Sequence, residues 1–316
     1  MRSRICWFVV VASVVASGSA APLPAQSLTS GVVLDAEARV REDLAVLTSP
    51  RLEGRSAGTP GADTAANFIA RRFWELGLRA AFRTSECDAQ GDCRPSYLQA
   101  FRAPDYVTTN IGAIVPGTDS ALRDRFVAVT AHYDHIGRMN GGQGDPAPPN
   151  TIHPGADDNA SGTTAVLELA RRFSEHPLKR SVILFAFGAE EFGLVGSRTL
   201  VENPPFDLHE IDVVLNLDMV GRLRKNRLEI FGAEAKLEGI LEGANSDPSF
   251  SLAMKSESTG RSDDLPFSSH GIPALHFTTG EHRDYHRATD TIDRVNMAGL
   301  VRVIDYVERV ARLVDR

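Results

Sequence analysis

The stretch SVILFAFGAEE, Ser181 to Glu191, carries an unbroken apolar run from Val182 to Phe187 and then two adjacent glutamates. A strand with one wet face alternates apolar and polar residues, whereas a run like this one belongs in a sheet covered on both faces. Phe126 to Ala131 (FVAVTA), Ile211 to Leu217 (IDVVLNL) and Ile272 to Phe277 (IPALHF) read the same way, and Arg227 to Phe231 reads as a further strand. Between the first two, Val166, Leu169, Ala170 and Phe173 recur at helical spacing within Thr163 to Phe173. Strands alternating with helices give an α/β class with a mostly parallel sheet.

Outside this centre the spacing predicts three more helices. Val33, Leu34, Val40, Leu44 and Leu47 share one face. Thr59 and Pro60 open the next, as cap and first turn, with Ala62, Ala66, Ile69, Phe73 and Trp74 inward and Gly77 at the end. Leu300, Ile304, Val307, Val310 and Val314 mark a closing amphipathic helix. The glycine-rich GRSAGTPG, Gly54 to Gly61, lacks the Gly-Lys-Ser/Thr ending of a phosphate loop.

With 316 residues, 42% hydrophobic and 24% charged, the chain can bury a full core. A net charge of −7 argues against a nucleic-acid surface. Residues 1–26 have Arg2 and Arg4, an apolar run from Ile5 to Val15 and then small residues. That is the pattern of a signal peptide, too short for a stable membrane anchor, and it leaves 27–316 as a single exported domain. Cys6 lies inside the run and leaves with it. Cys87 and Cys93, in CDAQGDC, are then expected to form a local disulfide.

Four of these strand-like runs deliver polar residues at their carboxyl ends, where ligands bind in open α/β sheets. FVAVTA leads to His132 and Asp134, SVILFAF to Glu190 and Glu191, IDVVLNL to Asp218, and IPALHF to a polar segment holding His286. TIHPGADDNAS, Thr151 to Ser161, adds Asp157 and Asp158 side by side. Each motif alone has a plainer reading: paired acids in a helix's first turn, or a capped surface turn. Together His132, Asp157, Glu191, Asp218 and His286 are two imidazoles and three carboxylates, a donor mix suited to two zinc ions. Three carboxylates and a hydroxide balance two Zn(II), which leaves Glu190 as a surplus acid. The loop from Gly137 to Pro149 is rich in glycine and proline and flanks the site.

HYDHIG, GADDNASGT, GAEEFGLVGS, NLDMVGR and DYHRATDT, with LEGRSAGTPG and GIPALHF, closely resemble the secreted dinuclear-zinc aminopeptidases, relatives of glutamate carboxypeptidase and glutaminyl cyclase. The likeness runs from about Leu47 to the closing helix. It implies a three-layer sandwich of the zinc-exopeptidase type, with a mixed, mostly parallel sheet between helices. It also implies that His132 and Asp218 bind one zinc, Glu191 and His286 the other, and that Asp157 bridges them. Glu190 is the implied general base, Asp134 the orienting partner of His132, Tyr285 a donor to the developing oxyanion, and Asp157–Asp158 a cis peptide. Asp290 is expected either to accept from His286 or to cap a helix.

The chain departs from that pattern at RSDDLPF, where Asp264 stands in place of a histidine near the substrate pocket. No protease-associated domain interrupts Phe101 to Arg125. The remaining histidines, His135, His153, His176, His209, His270, His276 and His282, are expected to be structural or solvated. The expected activity is removal of N-terminal residues from peptides with a free N-terminus, with no nucleic-acid partner and no stable membrane anchor; the sequence leaves the oligomeric state open and favours a monomer. Two other readings compete: a one-zinc acyltransferase like glutaminyl cyclase, and a metal-free binding module on the same fold.

Overall fold

The computed structural model describes residues 35–87, 93–139, 145–246 and 249–316; the signal-peptide segment and part of the Gly137 to Pro149 loop lie outside them. The elements in order are α1 (Ala36–Leu47), α2 (Pro60–Glu75), β1 (Arg79–Ala80), β2 (Phe82–Cys87), β3 (Cys93–Ser96), β4 (Leu98–Arg102), β5 (Val107–Val115) and β6 (Phe126–His132). There follow α3 (Gly162–Glu175), β7 (Ser181–Phe187), α4 (Val195–Glu202), β8 (Ile211–Leu217), β9 (Arg227–Phe231) and α5 (Ala235–Ala244). The chain closes with β10 (Ser251–Lys255), α6 (Asp264–Ser269), β11 (Ala274–Thr278) and α7 (Met297–Val314).

The main sheet runs β1-β5-β7-β6-β8-β11-β9-β10, with β4 beside β1 on the outer edge of β5. Its centre, β7-β6-β8-β11, is parallel, while β5 and β9 pair antiparallel to it. Alternate residues of the apolar runs face opposite ways, so each run feeds two cores. Val182, Leu184 and Ala186 join Val127, Val129, Val213 and Leu215 against α1, α2, α3, α5 and α7. Ile183, Phe185 and Phe187 join Ala128 and Val214 against Leu200 of α4 and Phe267 of α6. The result is the three-layer sandwich, helices on both faces of a mixed sheet.

Thr59 caps α2 as expected, accepting from Ala62 N–H, but Trp74 is 68% exposed. The buried stripe of α2 runs through Ala62, Ala65, Ala66, Ile69 and Phe73, and a residue one step beyond Phe73 is turned about 100° away from it. Cys87 and Cys93 face each other across the β2–β3 hairpin and are disulfide-bonded. No helix among the described residues is long and apolar enough to cross a membrane.

Because β6, β7, β8 and β11 are parallel, their carboxyl ends share one edge of the sheet. β6 lies between β7 and β8, so the chain departs in opposite directions on either side of it. Such a reversal opens a crevice at that edge.

Candidate metal centre

Five segments empty into the crevice: His132 to His135 after β6, the turn Ala156–Ser161, Glu190 and Glu191 after β7, Asp218 after β8, and His286 beyond β11. The paired glutamates do not start a helix. They lie in the connection that precedes α4, four residues before its start, after Ala189 at φ 61°.

Two groups of donors form there. His135, Asp158, Glu191 and His286 bring one ligand atom each within 4.8 Å of one another, and His132, Glu190 and Asp218 do the same. Asp158 joins the two groups. Its Oδ2 lies 3.1 Å from His286 Nε2, and its Oδ1 lies 3.4 Å from His132 Nε2. Glu191 Oε2 is 3.0 Å from His286 Nε2, and Asp218 Oδ1 is 3.3 Å from His132 Nε2. Oδ2 of Asp158 and Nε2 of His286 are buried without a hydrogen-bond partner, as atoms meant for a cation are.

The electrostatics fit the same reading. Burial pushes Glu190 well above the ordinary glutamate range and raises Asp158. Burial pulls His286 down, but the Asp158 and Glu191 carboxylates override it and push it up to about 10. Four carboxylates and three imidazoles at this depth require compensating positive charge, supplied by protons or by metal.

Asp157, the expected bridging residue, does not lie among these donors; its neighbour Asp158 does. Asp157 is fully buried but turned away from both groups: Oδ1 accepts from Gly221 N–H (2.6 Å) and Ser161 Oγ (3.1 Å), and Oδ2 lies 3.0 Å from His282 Nε2. The cis peptide follows Asp158 too, at Asp158–Asn159, not at Asp157–Asp158. The rest of the expected ligands, His132, Glu191, Asp218 and His286, lie in the two groups with Glu190 beside them. His135, expected to be structural, is buried with Nδ1 2.7 Å from Glu191 Oε1. Its signal was present in HYDHIG, three residues after His132.

Two supporting roles also change. His132 Nδ1 is 3.2 Å from the main-chain oxygen of Asp134 but 3.8 Å from its carboxylate, so the ring is held by the carbonyl and turns Nε2 to the site. The Asp134 carboxylate instead accepts from Glu190 N–H (3.0 Å), and burial raises it to about 7. Asp290 does not reach His286. Its Oδ2 accepts from the N–H of Asp157 (2.8 Å) and of Asp158 (3.1 Å), and its Oδ1 accepts from Arg222 (2.7 Å). Tyr285 stacks on His286 with centroids 3.9 Å apart and lines a cavity of about 400 Å³ beside the donors.

Arg55, in the segment whose phosphate-loop likeness fails, is fully buried. Its guanidinium donates to the carbonyls of Tyr133 (2.7 Å), Leu47 (2.6 Å), Pro154 (2.7 Å) and Gly155 (3.0 Å). It thereby ties the His132 to His135 loop to the Asp158 turn. Arg55→Met removes the partner of the Tyr133, Leu47 and Pro154 carbonyls, while Gly155 keeps its bond from Ala160 N–H, and is expected to cost roughly 3 kcal/mol or more in urea unfolding. A loss under about 1 kcal/mol would show that the clamp is dispensable.

Residues 110–311 match the model of peptidase family M28. The chain belongs to that family. Among its relatives is aminopeptidase YwaD of Bacillus subtilis, 31% identical over 196 residues, 57% of this chain and 39% of that protein. Leupeptin-inactivating enzyme 1 of Streptomyces exfoliatus is 30% identical over 233 residues, 66% of this chain and 49% of that one. The chain thus spans half or less of the length of these two M28 relatives. Two solved structures share the fold: BSAP, a zinc aminopeptidase from Bacillus subtilis (TM-score 0.68, 19% identity, 87% of this chain and 94% of that one), and an aminopeptidase from Aneurinibacillus sp. strain AM-1 (TM-score 0.69, 17% identity, 89% and 94%).

Proposed function

We propose that this chain is an exported zinc aminopeptidase that holds two Zn(II) ions and removes N-terminal residues from peptides with a free N-terminus. The observation that carries the reading is Asp158, whose two oxygens face two separate donor groups. His132 and Asp218 would hold one ion and Glu191 and His286 the other, with Asp158 placed between the two groups and His135 beside Glu191. Bound zinc supplies a Lewis acid and a water of lowered pKa. Glu190, the acid left over, takes the proton from the attacking water and passes it to the departing amine. Tyr285 lines the cavity beside the donors, where its hydroxyl serves the developing oxyanion.

Met219, Phe231 and Thr278 line the cavity next to the metal donors and offer a substrate side chain an apolar wall. The names of the relatives, aminopeptidases and zinc metalloproteases, agree with this activity. Residues 1–26 serve as the export signal and 27–316 as the mature single domain; the Cys87–Cys93 bond suits an oxidising compartment.

The test is hydrolysis of aminoacyl arylamides against the same compounds acetylated on nitrogen, with metal analysis of the same sample. Cleavage of the free amines alone, with two zinc ions per chain, is expected. A single zinc with cyclisation of N-terminal glutamine and no hydrolysis would replace the reading with an acyltransferase. Chelation should abolish turnover and zinc should restore it, whereas full activity in excess chelator would reject metal catalysis.

A further inference from the structure

A second cleft, of about 360 Å³, shares no lining residue with the cavity beside the metal donors. Arg222, Arg224, Arg283 and Arg294 line it with His282 and Asp284. Four arginines thus line the cleft with one lining carboxylate in a protein of net charge −7, and two of them contact it. We propose that this cleft binds a small oxyanion, a carboxylate or a phosphate, through Arg222, Arg283 and Arg294.

The bonds that the lining carboxylate makes to the arginines are long. Asp284 Oδ2 is shared by Arg222 Nη1 at 3.4 Å and Arg294 Nη1 at 3.3 Å, while its Oδ1 accepts from Thr289 Oγ1 at 2.8 Å. Arg222 has a side chain only 10% exposed, and its Nε is buried without a hydrogen-bond partner. Arg283 is exposed, and no described residue pairs with its guanidinium. Arg224 donates to the main-chain oxygen of Glu281. Two other acids stand near: Asp290, bonded to Arg222 and to the turn behind it, and Asp293, fully open to solvent. His282 is committed inward, to Asp157 and to the N–H of Asp284. Positive charge remains in excess, and planar guanidinium groups are the side chains that bind oxyanions in bidentate fashion.

The place matters because Arg222 also holds Asp290, which accepts from the N–H groups of Asp157 and Asp158. An oxyanion seated against Arg222 is two hydrogen bonds from the carboxylate proposed to bridge the metals. The site itself does not depend on the peptidase reading; only the source of the anion does.

Calorimetric titration of the metal-loaded protein with inorganic phosphate tests it. Arg283→Gln/Arg294→Gln should weaken phosphate binding at least about tenfold, and Arg283→Lys/Arg294→Lys should restore most of it. Zinc content, circular dichroism and arylamide turnover should stay as in wild type. No saturable binding, or equal affinity in the Gln variant because phosphate sits on the metals, would overturn the proposal. The source follows from one peptide assayed with a free and an amidated C-terminus. A lower KM for the free acid that disappears in the Gln variant assigns the anion to the substrate's own carboxylate. Equal KM values with phosphate binding intact assign it to a free anion.

Discussion

Asp158→Ala is expected to lose its zinc and its activity, whereas Asp157→Ala keeps the zinc and loses stability. The two residues are adjacent, similarly buried and chemically identical, so the contrast isolates direction. Asp158 directs one oxygen to each donor group, and no other side chain among the described residues reaches both in this way. Its removal leaves each ion short of a ligand and brings the remaining acids, Glu190, Glu191 and Asp218, closer to bare repulsion. Asp157 is spent on the protein itself. Its loss leaves the buried Gly221 N–H unpaired and frees His282, at a cost of about 1–3 kcal/mol. Metal analysis after desalting, with urea unfolding of both variants, reads the two effects separately. Stoichiometric zinc in folded Asp158→Ala, or its loss from folded Asp157→Ala, would return the bridging role to Asp157.

That pair also shows where sequence reading stops. SVILFAF, FVAVTA and IDVVLNL were legible because burial on both faces removes the polar alternation, and the crevice followed from where those strands end. The segments carrying His132, Glu191, Asp218 and His286 were legible for the same reason. Choosing between Asp157 and Asp158 was not possible from spacing, because both follow Gly155 in an irregular turn. The choice is made by the backbone: Asp158 departs from helical geometry at φ −106°, ψ 96°. His135 was set aside because it had no partner at a spacing the resembled family uses; in the fold its partner is Glu191, from the connection after β7. Strand β5 was missed because VTTNIGAIV mixes threonine, asparagine and glycine into its apolar run. In the sheet those residues are mostly covered, with Asn110 bonded to Gln99 and to the carbonyl of Gly196. Arg55 carried no sequence signal, since what it binds is main chain.

Glu190→Gln should lower turnover by about 10²–10⁴-fold while leaving zinc content and KM near wild type. The substitution keeps the size of the side chain and the main-chain bond from Glu190 N–H to Asp134, so the loop after β7 has no reason to move. What it removes is the ability to accept a proton. The geometry allows one rival role: Glu190 Oε2 lies 3.9 Å from His132 Nε2, within the group that Asp218 completes, so the carboxylate could ligate metal instead. As the base it would become neutral on taking the water's proton, and Asp158, Glu191 and Asp218 with the resulting hydroxide would balance two Zn(II). Zinc titration of the variant separates the two roles, because a ligand replaced by an amide weakens the metal and a base replaced by an amide does not. Turnover within about tenfold of wild type would place the base elsewhere, and a large loss of zinc affinity would reassign Glu190 to the coordination sphere.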